Sequence, residues 1–186
     1  MAAEPSPRRF TVKDYYRMGK AGILTQDDRV ELIEGEILQM PPIGSPHASG
    51  VKRLVLSFAP LIGGAAVVSV QDPLRLSDHS EPVPDFMLLR PRADLYAASH
   101  PGPGDVLLLV EVSDTTLTYD LRTKLPLYAR EGVPEVWVVD LNGQRLFVAR
   151  DPSPTGYRTT LTLSRGDRLA PLAFPELEVA VDDILG

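Results

Sequence analysis

The chain has 186 residues, 44% of them apolar, and no cysteine. It is therefore long enough to bury one core, and disulfide frameworks, zinc–thiolate sites, iron–sulfur clusters and thiol nucleophiles are excluded. A net charge of −6 at pH 7 excludes a histone-like polycation and confines any nucleic-acid contact to a local patch.

Residues 1–10 read as a flexible, charged and proline-rich tail without the apolar stretch of a signal segment, and residues 11–186 as a single domain. Thr11 and Asp14 have the spacing of a helix N-cap and its acidic partner, opening a short helix through Met18. Extended runs at 30–33 and 36–40 meet at Glu34-Gly35, a tight hairpin turn in which glycine accepts positive φ. The prolines of 41–46 predict a loop. From His47 onward, Val51, Leu54, Val55, Phe58 and Ile62 mark one helical face, Lys52, Arg53 and Ser57 mark the other, and Gly63-Gly64 ends the helix.

Three more extended runs, 65–70, 74–77 and 83–89, are divided by Asp72-Pro73 and Glu81-Pro82, and a loop rich in proline and glycine fills 90–104. The almost wholly apolar run 106–112 predicts a strand covered on both faces, central in its sheet. A helix over 118–131 ends at Gly132; a strand at 136–141 turns at Asn142-Gly143 into another at 145–149, and a late strand occupies 157–163. The C-terminal tail reads as a loop with at most a short turn. The order predicts an α/β domain whose mixed sheet is flanked by helices. No apolar run approaches the length of a membrane span, so the expectation is a soluble, cytoplasmic protein without membrane contact.

If strands 83–89 and 106–112 pair antiparallel about a loop centred near residue 98, Asp85 faces Glu111. A glutamate near the end of so apolar a strand is costly to desolvate unless something compensates it. A divalent cation does so, since Mg²⁺ or Mn²⁺ takes oxygen ligands and needs only one or two protein carboxylates beside waters and phosphates. Asp120, Lys124 and Tyr128 follow at i, i+4 and i+8 on one helical face, with Pro126 the residue that threatens this alignment. Basic residues number 15 arginines against four lysines, Lys13, Lys20, Lys52 and Lys124, so a lysine at position 124 is itself informative. A lysine offers a compact ammonium, whose pKa falls on burial or whose charge offsets a developing anion. Two carboxylates, a cation and a lysine are the parts of phosphodiester hydrolysis.

The matching segments are Val-Glu-Leu-Ile-Glu-Gly at 30–35, Val-Pro-Asp-Phe at 83–86, Glu-Val-Ser-Asp-Thr-Thr at 111–116, Asp120 with Lys124 and Tyr128, and Gly-Val-Pro-Glu-Val-Trp-Val-Val-Asp at 132–140. In these the chain resembles the Uma family of bacterial restriction endonucleases, within the PD-(D/E)xK nuclease superfamily, in matching order over roughly residues 11–185. The resemblance implies a restriction-endonuclease-like α/β fold, Asp85 and Glu111 as ligands of Mg²⁺ or Mn²⁺, and Lys124 as the catalytic lysine. The superfamily pattern puts that lysine two residues after the glutamate, where this chain has Ser113; in the Uma family it has moved to the following helix, and Lys124 matches that placement. Glu31 matches a further acidic position that the family contributes to catalysis ahead of the sheet. DNA is the implied substrate and a homodimer the expected assembly, since cutting two strands calls for two sites.

Elsewhere the residues read as ordinary structure. His47 is a loop–helix junction, His79 and His100 lie in loops without metal-ligand spacing, and Tyr128 and Trp137 read as core. Lys52 with Arg53 or Arg122 offers phosphate contacts. No serine-hydrolase elbow, phosphate-binding P-loop or dinucleotide fingerprint is present. The alternative to a metal-dependent endonuclease is a non-catalytic nucleic-acid-binding or self-assembly module on the same fold. The orientation of Lys124, toward Asp85 and Glu111 or toward solvent, separates the two.

Overall fold

A computed structural model of the chain describes residues 6–25 and 27–186. Residues 1–5 of the expected tail lie outside these. From Arg9 onward the chain is already tied down, because Arg9 pairs with Glu36 and the Phe10 N–H donates to the Gly35 carbonyl (2.9 Å). Helix α1 (Val12–Lys20) starts at Thr11 with both halves of the expected capping box to Asp14. Strands β1 (Val30–Ile33) and β2 (Glu36–Gln39) form the expected hairpin, with positive φ at both Glu34 (50°) and Gly35 (80°).

Helix α2 (Ser45–Ile62) begins earlier than the prolines imply, because Pro46 sits in its first turn, where the missing N–H and fixed φ cost nothing. The expected loop is therefore shorter than 41–46. Strands β3 (Val67–Ser69) and β4 (Phe86–Leu89) are both shorter than their extended runs. Residues 74–77 form no strand and contribute one isolated bridge, Ser77 to Ser80. Proline punctuation at 73, 82 and 84 removes the N–H donors that a longer ladder needs.

Strand β5 (Val106–Ser113) lies third in a six-stranded mixed sheet of order β3-β4-β5-β6-β7-β8, with β6 (Glu135–Asp140), β7 (Arg145–Ser153) and β8 (Gly156–Ser164). Only β5 and β6 run parallel; the other neighbours are antiparallel. The β5–β6 crossover is a helical stretch in three parts: α3 (Leu117–Tyr119), a π-helical turn (Asp120–Lys124) and α4 (Leu125–Arg130). The π-turn ends two residues before Pro126. An uninterrupted α-helix would drive that ring into the carbonyl four residues back, and the widened turn avoids the clash while the helix continues. The tail is more ordered than expected: β9 (Arg168–Leu169) pairs with β10 (Val179–Ala180), and α5 (Val181–Leu185) closes the chain.

Two apolar layers sandwich the sheet. On one face α2 and α5 bury Leu54, Phe58 and Ile184 against Phe86, Val110 and Trp137. On the other, α4 buries Leu127 and Tyr128 against Met87, Leu109 and Val138. Leu109 and Val110 lie in opposite layers, so the alternation of β5 directs Glu111 toward the helix that carries Lys124. Among the described residues no helix is long and apolar enough to cross a membrane.

Helix α2 approaches β5 closely at Gly50, where an added Cβ would stand 2.8 Å from a Val112 methyl. Gly50→Val is therefore expected to destabilise the fold by about 1–3 kcal/mol through overpacking. Chemical denaturation measures this, and an unchanged midpoint would show that the helix–sheet contact is looser than described.

Candidate functional site

Four pieces of chain meet at one end of the sheet. Strand β4 pairs with β5 so that Phe86 faces Val110, and the same register extended by one residue sets Asp85 opposite Glu111, as the sequence predicts. The ladder itself stops at Phe86. Asp85, one step outside it, uses Oδ2 to accept the Val112 N–H at 2.9 Å.

The β1 hairpin supplies Glu31. Its Oε1 accepts the Val83 N–H at 3.1 Å, which fixes the hairpin to the segment leading into Asp85. The helix after β5 supplies Lys124, which does not point to solvent: it is 2% exposed, and its Nζ donates to Oε1 of Glu31 (3.0 Å) and of Glu111 (3.1 Å). The Tyr128 hydroxyl donates to the same Glu111 oxygen at 2.5 Å, so this core tyrosine also orients the site. Lys124 does not pair with Asp120. Asp120 instead accepts hydrogen bonds from the Ser113 hydroxyl (2.7 Å) and the Thr116 hydroxyl (2.6 Å). Ser113 thus tethers the helix that carries Lys124.

Sequence reasoning underrated one neighbour and missed two. His47, in the first turn of α2, donates from Nε2 to Asp85 Oδ2 at 3.0 Å, and its Nδ1 is buried without a partner. Since an ionised carboxylate only accepts, the proton belongs on Nε2. Gln71, at φ 53°, brings its side-chain amide to Asp85 Oδ1 at 3.3 Å. Tyr119 sets its ring 5.9 Å from the Lys124 ammonium, with its hydroxyl buried and unbonded. None of these follows a periodicity, and the one available signal is His47 beginning an amphipathic helix directly after the proline-rich loop.

Glu31, His47, Asp85, Glu111, Asp120 and Lys124 all line one cavity of about 430 Å³. Arg29 joins them, its guanidinium held by the Pro41 carbonyl at 2.6 Å. Lys52, Arg53 and Arg122, the phosphate contacts expected from sequence, do not line it.

Burial governs the electrostatics. Desolvation pushes Glu111 up to about 8, aided by Asp85, Asp120 and Glu31 and opposed by the Lys124 charge. Burial alone would lower Lys124, but the charges of Glu111, Glu31 and Asp120 outweigh it and hold the ammonium well above the ordinary lysine range. Of the two lysine roles open in the sequence, this direction favours a charge that offsets a developing anion over a lowered pKa. Burial also pushes Asp85 up, yet the His47 hydrogen bond and charge, the Val112 N–H and Lys124 bring it below its usual value. The bond to Asp85 raises His47 against the opposing effect of its own burial.

Among the described residues, no group of three or more His, Cys, Asp or Glu is placed to hold a metal ion by itself. The carboxylates nonetheless fit a cation that keeps most of its shell as water and phosphate. Lys124 and Tyr128 both take Oε1 of Glu111 and leave Oε2; His47 and Val112 take Oδ2 of Asp85 and leave Oδ1 to one long contact. Oε2 of Glu31 is buried with no hydrogen-bond partner. Each carboxylate thus has one oxygen pinned and one oxygen to offer, a hard donor set suited to Mg²⁺ or Mn²⁺.

Residues 12–182 match the Uma2 family, whose description reads "Putative restriction endonuclease". The chain belongs to this family. No curated protein matches it. Among solved structures it is similar to a "putative nuclease belonging to DUF820" from Anabaena variabilis, at a TM-score of 0.69 and 19% identity over 95% of this chain and 97% of that one. That likeness is one of fold, a mixed sheet with flanking helices, as expected from the order of the elements. Family and fold agree with the Uma resemblance carried by the motifs.

The proton balance of Glu111 has a consequence for stability. Its folded-state value near 8 against the ordinary 4.5 means that the folded chain keeps a proton the unfolded chain has lost. This contribution is fully present below about pH 4.5 and lost as pH rises through about 8. In chelator, wild-type stability measured by thermal or urea unfolding should fall more steeply between these pH values than that of Glu111→Gln. Parallel profiles would contradict the protonation assigned to Glu111.

Proposed function

We propose that the protein is a metal-dependent endonuclease that hydrolyses phosphodiester bonds in DNA. The observation that carries this reading is the fully buried Lys124 ammonium bridging Glu31 and Glu111 in the cavity that also receives Asp85. Stability alone gives little reason to bury such a group, since a buried ion pair rarely outperforms apolar packing of the same volume.

Asp85 and Glu111 would hold Mg²⁺ or Mn²⁺, with the unpaired Glu31 Oε2 beside them. Once bound, the cation would supply a Lewis acid that polarises a phosphoryl oxygen and acidifies water. The rest falls to the chain itself. Lys124 stays an ammonium and so does not act as a base; it orients the attacking water and neutralises charge growing on the phosphoryl oxygens. Tyr128 holds Glu111, His47 holds Asp85, and Ser113 holds the helix bearing Lys124, so the constellation is fixed before substrate arrives. Arg29, together with the N-terminal end of α2, supports a phosphate at the mouth of the cavity.

The acidic net charge does not oppose this. The local −4 of residues 27–36 includes Glu31, residues 176–186 carry another −4, and the rest of the chain sums to +2. Cleavage of both strands calls for two such sites and hence a homodimer.

The test is cleavage of supercoiled plasmid in Mg²⁺ and in Mn²⁺, with chelator as control, beside Asp85→Ala and Lys124→Ala. Each variant should lose at least about 100-fold in rate, the scale for removing one charged group from a preorganised site. Circular dichroism confirms that the variants are folded. Equal cutting by wild type and variants would assign the activity to a contaminant and overturn the reading.

A further inference from the structure

A second cavity, of about 370 Å³, lies between α1, the segment around Arg75 and Glu81, and the loop 96–100. Its wall contains a carboxylate that the first site does not use. Glu81 is 3% exposed; its Oε2 takes Arg75 Nη1 at 3.4 Å, and its Oε1 is buried with no hydrogen-bond partner. Burial, and after it the nearby Glu81 carboxylate, raises the pKa of the Tyr16 hydroxyl, which lies outside hydrogen-bond geometry to Oε1. A buried acceptor left unpaired costs about 1–3 kcal/mol, more when charged, so a ligand that brings an N–H donor recovers a real deficit.

The remaining walls define the ligand's shape and charge. Tyr16 and His100 are nearly parallel, with ring centroids 6.4 Å apart and planes 23° apart, and the Tyr16 side is 41% exposed. That arrangement is a platform for a flat ring. An organic cation would also suit aromatic walls beside a carboxylate. One guanidinium in the wall opposes it: Arg75, which is already paired with both Glu81 and Asp78. With a guanidinium already seated on Glu81, a neutral ring is favoured over a second cation.

We propose that this cavity receives one unstacked nucleobase bearing an exocyclic amine, which donates to Glu81 Oε1 while the ring stacks against Tyr16 and His100. Guanine, adenine and cytosine carry such an amine; thymine offers carbonyl oxygens in those places and is disfavoured by a carboxylate. The site adjoins the first one. Glu81 N donates to the Leu32 carbonyl at 2.7 Å, next to Glu31, and Val83, which holds Glu31, lies two residues on, about 7 Å of extended chain. That the base belongs to a bound nucleic-acid strand rests on the nuclease reading; the binding of the base does not.

The test uses the full chain in chelator with free nucleosides, which lack the phosphate that the first cavity could hold. Deoxyguanosine, deoxycytidine and thymidine are titrated and followed by saturation-transfer NMR. Amine-bearing nucleosides should bind at least about tenfold more tightly than thymidine. Tyr16→Ala should weaken them by at least about fivefold through lost stacking, Tyr16→Phe should leave them unchanged, and Glu81→Gln should reduce the preference over thymidine. Equal binding of all three nucleosides, indifference to Tyr16→Ala, or preferred binding of tetramethylammonium would overturn the proposal. Asp85→Ala, which tests cleavage, should leave nucleoside binding intact. An inactive wild type that still binds deoxyguanosine through Tyr16 would sink the nuclease reading alone, and an active wild type indifferent to Tyr16→Ala would sink this one alone.

Discussion

The organisation of this molecule turns on one ammonium with almost no access to water. Lys124 sits where desolvation is most expensive for a charge, and it is tolerable there only because Glu31 and Glu111 stand within hydrogen-bond distance. Removing any one of the three would leave the others buried and uncompensated, a loss of about 3–5 kcal/mol for a pair of this kind. The three come from a hairpin, a central strand and a crossover helix, so a single electrostatic requirement fixes three elements of the fold at one point.

Each element carries a device that meets the requirement. The hairpin is positioned by the Val83 N–H on Glu31 and by the pairing of Leu32 with Glu81. Strand β5 is flanked by strands on both sides and covered on both faces, so Glu111 cannot move away from the charge. The crossover helix is anchored at its start by Asp120 between Ser113 and Thr116, and its π-turn accommodates Pro126 without breaking the run. Such π-turns recur at functional sites, where a shifted helical register re-aims a side chain. Here the side chain that lies within it is the lysine.

What the sequence made legible was whatever repeats or is counted. The register that opposes Asp85 to Glu111 follows from two apolar runs and the loop between them. The centrality of β5 follows from its Val and Leu content, interrupted within 106–112 by Glu111 alone, and the Glu34-Gly35 turn from glycine chemistry. Lys124 stood out because lysine is rare in a chain rich in arginine. The contacts that were not legible depend on tertiary placement. His47 reaches Asp85 only because Pro46 starts α2 early, and Gln71 reaches it through a left-handed backbone that no neighbouring residue announces. The strand expected at 74–77 failed because alternation without a paired neighbour does not make a ladder. The ordered tail was missed because β9 and β10 are two residues each, below any periodic signal.

The central claim is therefore about charge: Lys124 is an ammonium whose pKa, against its own burial, is held above the ordinary lysine value by its contacts with Glu111 and Glu31. Four lysines make this directly measurable. With lysine labelled at its side-chain carbon and nitrogen, NMR resolves four Cε–Nζ signals, and Lys124→Arg assigns the one of interest. The account predicts that this signal titrates well above 10.5, or not at all before unfolding, and that its exchange with water is slow. A signal titrating at or below the ordinary lysine value, with exchange as fast as the exposed lysines, would contradict it.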